Sequence, residues 1–242
     1  GIIMPNRICS SFASIKKGRI FMRTFTFTFG WLLAGTLFVS ESLADWPQFR
    51  GPSGNGYLGE LNHPTQWSME ENLAWSQAIP GGGWASPIIV GNRIFITTAV
   101  DSKNTKPLGH AGGVRNMRGK KPTEPFDFKL ICLNLVDGST EWKKNIVQEQ
   151  PKYAIHPSNT YSTESPVTDG KHVFCYFATI GKIAAVSLKG KLAWTVNIGA
   201  FPSGNGFGTG SSLALLEDTL FIQCDNDKDS FVVALDTATG KE

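Results

Sequence analysis

Three copies of one segment, spaced roughly 50 residues apart, constrain the fold of this 242-residue chain more than any other feature. Each copy begins at a serine followed by an apolar run, and ends with a further apolar run and a glycine-containing turn. The copies cover residues 86–96 with 130–142, 165–175 with 183–194, and 212–222 with 232–242. Repeats of this length, built from short apolar runs and tight turns, are typical of the blades of a β-propeller.

Each copy divides into short strands separated by Gly, Asp and Asn. The predicted strands are 86–90, 93–98, 129–134 and 140–146 in the first copy, 165–168, 172–177, 182–187 and 191–198 in the second, and 212–216, 219–224 and 230–235 in the third. The third copy reaches the last residue before its fourth strand. The sequence therefore predicts an all-β fold, a β-propeller with about two complete four-stranded antiparallel blades and an incomplete third. We expect residues 45–242 to be the N-terminal part of a longer propeller, with an unstable edge at the third blade.

Trp75, Trp142 and Trp194 occupy one position of the repeat, where the outer strand of a blade begins. A large flat side chain there can stack on the glycine-containing turn of the next blade and bury about 150–250 Å². The prediction is a structural role in docking blades. An aromatic stack for a ligand is the alternative, but a single site does not need a tryptophan in every blade.

The first 44 residues have the pattern of a targeting segment. Met22-Arg23 gives a short positive start, residues 25–39 form an apolar run, and small residues precede a cleavage site after Ala44. We interpret residues 1–21 as sequence upstream of the true start at Met22. The prediction is a periplasmic or extracellular protein without stable membrane insertion after cleavage. An uncleaved membrane anchor is the alternative, although the run is shorter than the ~20 residues that span a bilayer.

The remaining chain carries no strong charge. The formal charge of +3 becomes −1 without the first 44 residues, so a nucleic-acid-binding surface is not expected. Three cysteines remain, Cys132, Cys175 and Cys224, and an odd number gives no disulfide framework. Each lies in a strand-like apolar run, where a buried thiol behaves as a small apolar side chain.

The sequence resembles the propellers with pyrroloquinoline-quinone (PQQ) repeats, and in particular an exported bacterial subgroup. The Leu-Asp-x-x-Thr-Gly-Lys hairpin at residues 235–241 has the repeat motif of that family, and residues 133–142 and 186–194 are looser copies. Residues 46–56, which begin Trp-Pro-Gln-Phe-Arg-Gly-Pro, and the segments 81–87, 156–161, 206–212 and 225–227 add to the resemblance. The resemblance covers residues 46–242.

The family resemblance implies two kinds of function. Some members are quinoprotein dehydrogenases, which hold PQQ between a tryptophan and a disulfide of adjacent cysteines, beside a Ca²⁺ ion. Others, the BamB-like propellers, bind partners without catalysis. This sequence has no adjacent cysteine pair and no Cys-x-x-Cys-His haem motif. We therefore expect a non-catalytic binding or scaffold module with a protein or glycan partner, no cofactor, no metal and no catalytic residue. The alternative is a quinoprotein dehydrogenase that oxidises an alcohol or sugar with PQQ and Ca²⁺.

His156, Asn159, Tyr161 and Glu164 are the candidate binding residues, because they lie in the loop before the first strand of the second blade. In a propeller this loop reaches the axial region, where polar groups of several blades converge. A loop whose polar groups satisfy its own backbone is the alternative. Asn205, Thr209 and Ser211 occupy the equivalent place in the third blade. Residues 225–229, Asp-Asn-Asp-Lys-Asp, resemble a Ca²⁺ ligand cluster but lie where a hairpin turn is required, so a turn is predicted.

Overall fold

Short strands joined by tight turns make up the regular structure of this chain. The computed structural model describes residues 2–5, 45–57, 59, 64–104, 119–203 and 206–242. The predicted start at Met22, the cleavage site after Ala44 and the candidate Asn205 lie outside these residues. In the part described, no helix has the length and apolar character needed to cross a membrane.

The strands form one two-stranded sheet and three larger units, which we call blades A, B and C. The two-stranded sheet pairs β1 (Ile2–Pro5) with β2 (Leu73–Gln77). Blade A contains β3 (Ile88–Val90), β4 (Arg93–Val100), β5 (Phe126–Asn134) and β6 (Thr140–Glu149). Blade B contains β7 (Val167–Thr168), β8 (His172–Phe177), β9 (Lys182–Ser187) and β10 (Leu192–Asn197). Blade C contains β11 (Ala214–Leu216), β12 (Thr219–Cys224) and β13 (Phe231–Asp236).

Every blade is an antiparallel meander in which strands that follow one another in sequence are neighbours in the sheet. The prediction of two complete four-stranded blades and an incomplete third is confirmed. The first strand of each blade is shorter than predicted. In blade B, for example, β7 begins at Val167 and not at Ser165. The serine before it uses its hydrogen bonds between blades instead: Ser165 accepts from the N–H of Ser86 at 2.9 Å and donates its own N–H to the Ser212 hydroxyl at 3.0 Å.

Apolar layers between the blades form the core. One layer lies between blades A and B and includes Phe128 and Phe177, whose ring centroids are 5.1 Å apart. A second lies between blades B and C and includes Phe174, Leu220 and Leu235. Blade B has a neighbour on each side, and its strands β8 and β9 are therefore buried on both faces. Full burial of one such side chain stabilises the fold by about 1.5–3 kcal/mol.

A tryptophan docks on the last hairpin turn of each blade: Trp75 of β2 on blade A, Trp142 of blade A on blade B, and Trp194 of blade B on blade C. The indole N–H groups of Trp75, Trp142 and Trp194 donate to the carbonyl oxygens of Leu135, Leu188 and Thr237, at 3.0, 3.2 and 2.9 Å. The rings lie so close to Gly138, Gly190 and Gly240 that a Cβ atom there would stand 2.3, 3.0 and 2.8 Å from ring carbons. All three glycines have positive φ angles, which other residues rarely adopt. One contact is therefore repeated at three successive interfaces.

Blade C has one covered and one open face. Leu220, Val233 and Leu235 pack against blade B, whereas Leu216 and Val232 on the other face are exposed. Within the described residues, β13 pairs only with β12. An apolar sheet face of this kind, with a free edge, is a surface on which further structure or another chain can pack.

Candidate functional site

The segments that lead into blades A, B and C meet at one end of the blades, opposite the docked tryptophans. In an antiparallel meander, the connection after the second strand and the connection after the fourth strand lie at the same end. We call this surface the loop face. Its first, second and third connections are residues 79–87, 150–166 and 198–203 with 206–213. The segments after the second strands of blades A, B and C add residues 101–104 with 119–125, 178–181 and 225–230.

The first connection is held by the second. The backbone N–H of Trp84 donates to the carbonyl oxygen of Ser162 at 2.9 Å and to the Thr160 hydroxyl at 3.2 Å. The N–H of Ala85 donates to the same carbonyl at 3.3 Å. The backbone at Trp84 is therefore fixed, while the side chain itself is 50% exposed.

His156 and Asn159, two of the predicted site residues, contact the third connection. The imidazole ring of His156 lies 5.3 Å from the ring of Phe207, measured between centroids. The side-chain amide of Asn159 donates to the carbonyl oxygen of Phe207 at 2.7 Å, and its oxygen accepts from the hydroxyl of Thr163. Both residues therefore position Phe207, whose side chain is 56% exposed.

Glu164, a third predicted residue, is almost entirely buried, with 1% of its surface exposed. Its Oε1 atom accepts from the hydroxyl of Thr209, while Oε2 has no partner among the described residues. Burial raises the pKa of this carboxyl group, while the Thr209 hydroxyl and nearby backbone N–H groups oppose the rise. The hydrogen bond between Glu164 and Thr209 joins the second connection to the third.

Tyr161, the fourth predicted residue, lies away from Phe207 and Thr209. Its ring packs edge-on against Phe126 with centroids 5.0 Å apart, and its hydroxyl donates to the carbonyl oxygen of Tyr153 at 3.4 Å. Burial raises its pKa to about 12. The structure thus brings His156, Asn159 and Glu164 together at the third connection and separates Tyr161 from them.

Three exposed aromatic residues on the loop face were not predicted as site residues from the sequence. Trp84, Tyr153 and Phe207 lie one in each of the three connections, and each is anchored through its backbone by residues 156–162. Tyr153 is 37% exposed. A usable signal was present in the sequence, because an aromatic residue beside glycine recurs in Gly83-Trp84 and in Gly206-Phe207-Gly208.

Two adjoining cavities open on the loop face between blades B and C. The first, which we call the acidic cavity, has a volume of about 400 Å³ and is lined by Tyr176, Ala178, Ser203, Gly208, Thr209, Gly210, Ser211, Gln223, Cys224, Asp225, Asn226 and Asp227. The second, the apolar cavity, has about 350 Å³ and is lined by Tyr153, Ala154, Ile155, Thr179, Phe201, Pro202 and Gly206 together with four residues of the first. The shared wall consists of Ser203, Gly208, Thr209 and Asp227. Volumes in this range are typical of ligand pockets.

The acidic segment 225–229 forms the turn between β12 and β13. Asn226 accepts the N–H groups of Lys228 and Asp229 on its side-chain oxygen, at 2.9 and 3.2 Å, and Asp225 accepts from the Ser230 hydroxyl at 2.6 Å. These are the local hydrogen bonds by which Asn and Asp stabilise turns. In the described part of the chain, no group of three or more His, Cys, Asp or Glu side chains is arranged to hold a metal ion.

The described residues include three cysteines, Cys132, Cys175 and Cys224, which are buried, free thiols in separate strands. Burial raises the pKa of Cys132 to about 12, and burial also raises the pKa of Cys175. Thiols in this state are poor nucleophiles, because the thiolate is the reactive form.

Comparison with known proteins gives a fold but no family. No family model matches the sequence, and no curated protein matches it. Among solved structures, the quinohemoprotein alcohol dehydrogenase from Comamonas testosteroni is similar, with a TM-score of 0.51 and 12% sequence identity over 83% of this chain and 26% of that chain. The chain has the fold of a β-propeller.

A second similar structure is BamB from Moraxella catarrhalis, with a TM-score of 0.35 and 16% identity over 72% of this chain and 39% of that chain. The chain therefore spans about a quarter to two fifths of the length of these two propeller proteins. At such identities the likeness concerns the fold alone.

Proposed function

We propose that this chain is part of an exported propeller of the PQQ-repeat kind that acts as a non-catalytic binding or scaffold module. Its partner is a protein or a glycan, and this partner binds at the loop face. The targeting pattern of residues 1–44 and the repeat motif at residues 235–241 support export and the kind of propeller. The loop face supports the binding function.

The observation that carries the proposal is the set of exposed aromatic side chains on hydrogen-bonded loops. Trp84, Tyr153 and Phe207 present apolar surface to solvent from three connections that contact one another. Aromatic residues are enriched at binding surfaces, where a few of them supply most of the binding energy. Because their backbone is already fixed, less conformational entropy is lost when a partner binds.

A capture experiment with matched variants tests this proposal. The immobilised chain is exposed to envelope proteins and glycans of the source organism, and retained partners are quantified for the wild type, the double variant Trp84→Ala/Phe207→Ala and the control Val136→Ala. Val136 is exposed in the turn that binds Trp75, at the opposite end of the blades. We expect the double variant to lose most of the retained partner and the control to keep it.

The opposite result would refute the loop face as the binding surface. If Trp84→Ala/Phe207→Ala retains the same partner as the wild type while Val136→Ala loses it, binding occurs at the other end. Circular dichroism of each variant checks that the fold is retained, because these side chains are exposed and contribute little to the core.

The quinoprotein alternative requires a site that the described residues do not supply. The cysteines at positions 132, 175 and 224 lie in three separate strands, so none forms the disulfide of adjacent cysteines that the resemblance implies. The described acidic residues also form no metal-ligand group. We derive no reaction step through PQQ from this chain.

A further inference from the structure

We propose that β13 of this chain binds β2 of a second copy, so that two copies together complete one propeller. In each blade C, β2 of the partner becomes the fourth strand. The inference goes beyond the loop face, because it names the occupant of the open edge of blade C. That occupant is a second copy of this chain.

The strand β2 has the place of a fourth strand in a blade. Its Trp75 docks on the last turn of blade A by the same indole hydrogen bond and the same glycine contact that join Trp142 to blade B. Trp142 and Trp194 lie in β6 and β10, the fourth strands of blades A and B. Among the described residues, however, β2 pairs only with β1. It is a fourth strand without the three strands of its blade.

Blade C has the opposite deficiency. Its strands β11, β12 and β13 form the meander of a blade, and no strand of the described residues pairs with the second edge of β13. Its last turn already holds Trp194 of blade B against Gly240, so the three strands are docked like those of a complete blade. The face that would pack on a following blade exposes Leu216 and Val232, at 66% and 65%. Blade C therefore lacks the kind of strand that β2 is.

The complete blades give the register of the missing pair. In each, the tryptophan lies opposite a small residue of the third strand, which lies opposite a phenylalanine of the second strand. These sets are Trp142, Cys132 and Phe95 in blade A, and Trp194, Ala185 and Phe174 in blade B. In blade C, Ala234 lies opposite Phe221 and has the place of the small residue. Trp75 of the second copy then lies opposite Ala234, and Gln77 lies opposite Val232.

The pairing of β1 with β2 is an independent indication that β2 accepts a strand from a distant part of a chain. Residues 2–5 are far from β2 in the sequence, yet they pair with it in antiparallel orientation, with Met4 opposite Trp75. They precede the predicted start at Met22 and the predicted cleavage site after Ala44. An exported chain cleaved there lacks β1, and its β2 is open to β13 of a second copy.

The number of blades selects two copies. Propellers typically contain about 4–8 blades. If β2 paired with β13 of its own copy, the ring would contain only the three blades A, B and C, which is below this range. Three copies would give nine blades, above the range, whereas two copies give six. The contact joins different surfaces of the two copies, and such a contact forms a closed ring when its rotation closes.

The ring has a consequence for binding, which rests on the proposed function, whereas the strand pairing does not. The twofold axis of the dimer is the axis of the ring, so both loop faces lie at the same end. Trp84, Tyr153 and Phe207 then occur twice around one axis. A partner with two equivalent binding segments would gain affinity from their simultaneous contact.

Disulfide cross-linking between copies tests the pairing. Gln77→Cys and Val232→Cys are made as separate variants of the full chain, each with Cys9→Ser, because the three described cysteines are buried. Opposite residues of antiparallel strands have Cα atoms about 4.5–5.5 Å apart, a separation that a disulfide spans. We expect a linked dimer when the two variants are mixed and oxidised, and none from either variant alone. Absence of the link in the mixture would count against the pairing.

A matched variant tests the register. Leu73→Cys lies four residues before Gln77 in the same strand, about 13 Å from it along β2. It should not form a link with Val232→Cys. Equal linking by Leu73→Cys and Gln77→Cys would show unspecific association and overturn the proposal.

Light scattering after size-exclusion chromatography measures the number of copies. We expect the full chain to form a dimer, and Ile3→Pro to increase the dimer fraction, because proline is disfavoured in paired strands and β1 competes for β2. Val232→Glu should weaken dimerisation about tenfold, because it places a charge in the contact between copies. Thr195→Glu, which adds the same charge at an exposed position of β10, should not weaken it.

Two results would overturn the proposal. One is a chain that stays monomeric, and unlinked by the cysteine pair, also with Ile3→Pro; another strand would then cover β13. The other is equal weakening of the dimer by Val232→Glu and Thr195→Glu, which would place the contact elsewhere. Circular dichroism checks that each variant keeps its fold, since both side chains are exposed.

Discussion

Gly138→Ala is the substitution whose cost follows most directly from the contact between blades. A Cβ atom at this position would lie 2.3 Å from a ring carbon of Trp75, and the residue has a φ angle of +72°. The substitution therefore imposes two costs, backbone strain and displacement of the tryptophan. Gly170→Ala separates them, because Gly170 has a φ angle of +80° with no atom within 4 Å of an added Cβ.

The two costs differ in size. An alanine in the left-handed region costs about 1–2 kcal/mol, which is the whole expected effect at Gly170. At Gly138, the ring of Trp75 must also move, which breaks its 3.0 Å hydrogen bond to Leu135 and part of its packing. Complete loss of a fully buried aromatic side chain costs about 3–5 kcal/mol. Trp75 is half-buried, so its partial displacement together with the strain gives about 2–4 kcal/mol for Gly138→Ala.

Urea denaturation of the full chain, followed by tryptophan fluorescence and circular dichroism, measures both variants. We expect the free energy of unfolding to fall at least 1 kcal/mol further for Gly138→Ala than for Gly170→Ala. Equal losses in the two variants would show that the tryptophan is not held by the glycine turn, and would refute this explanation of how blades dock.

Three further predictions concern the carboxyl group of Glu164, two buried thiols and the N-terminus of the exported protein. Burial raises the pKa of Glu164, so the folded state holds a proton that the unfolded state releases. The stability that comes from this proton is therefore complete below the unfolded pKa of about 4.3 and is lost as the pH rises through the folded pKa. Glu164→Gln should abolish this component of the pH dependence of the melting temperature; an unchanged profile would contradict it. Cys132 and Cys175 should react with Ellman's reagent at pH 8 only after denaturation, and rapid reaction of the native chain would contradict their burial. N-terminal sequencing of exported protein should begin at Asp45, whereas full-length chain in the membrane fraction would support an uncleaved anchor.

The strands and turns of the blades could be predicted because each of them depends on residues that are close together in the sequence. Short apolar runs and the Gly, Asp and Asn residues of the turns indicate strands and turns within each repeat. The shortening of β7 was not predictable in this way, because Ser165 uses its hydrogen bonds on serines of neighbouring blades. Pairing of β1 with β2 joins residues that are far apart in sequence, and no local sequence pattern indicates it.

The candidate site was predicted only in part. His156, Asn159 and Glu164 were identified from their loop position, but their contacts with Phe207 and Thr209 link residues about 45–50 positions apart. The cavities depend on the same distant contacts, because residues 203–211 and 223–227 form one wall only after blades B and C pack. The role of His156, Asn159, Tyr161 and Glu164 in binding a ligand stays a prediction.

The central claim is that this chain binds a partner and does not act as a quinoprotein dehydrogenase. The most direct test is the melting temperature of the full chain with and without PQQ and Ca²⁺. A ligand present at 100 times its dissociation constant adds about 2.7 kcal/mol, which raises the melting temperature of a chain of this size by about 5–10 °C. We expect no change with PQQ and Ca²⁺ together; a rise of that size that requires both would contradict the claim.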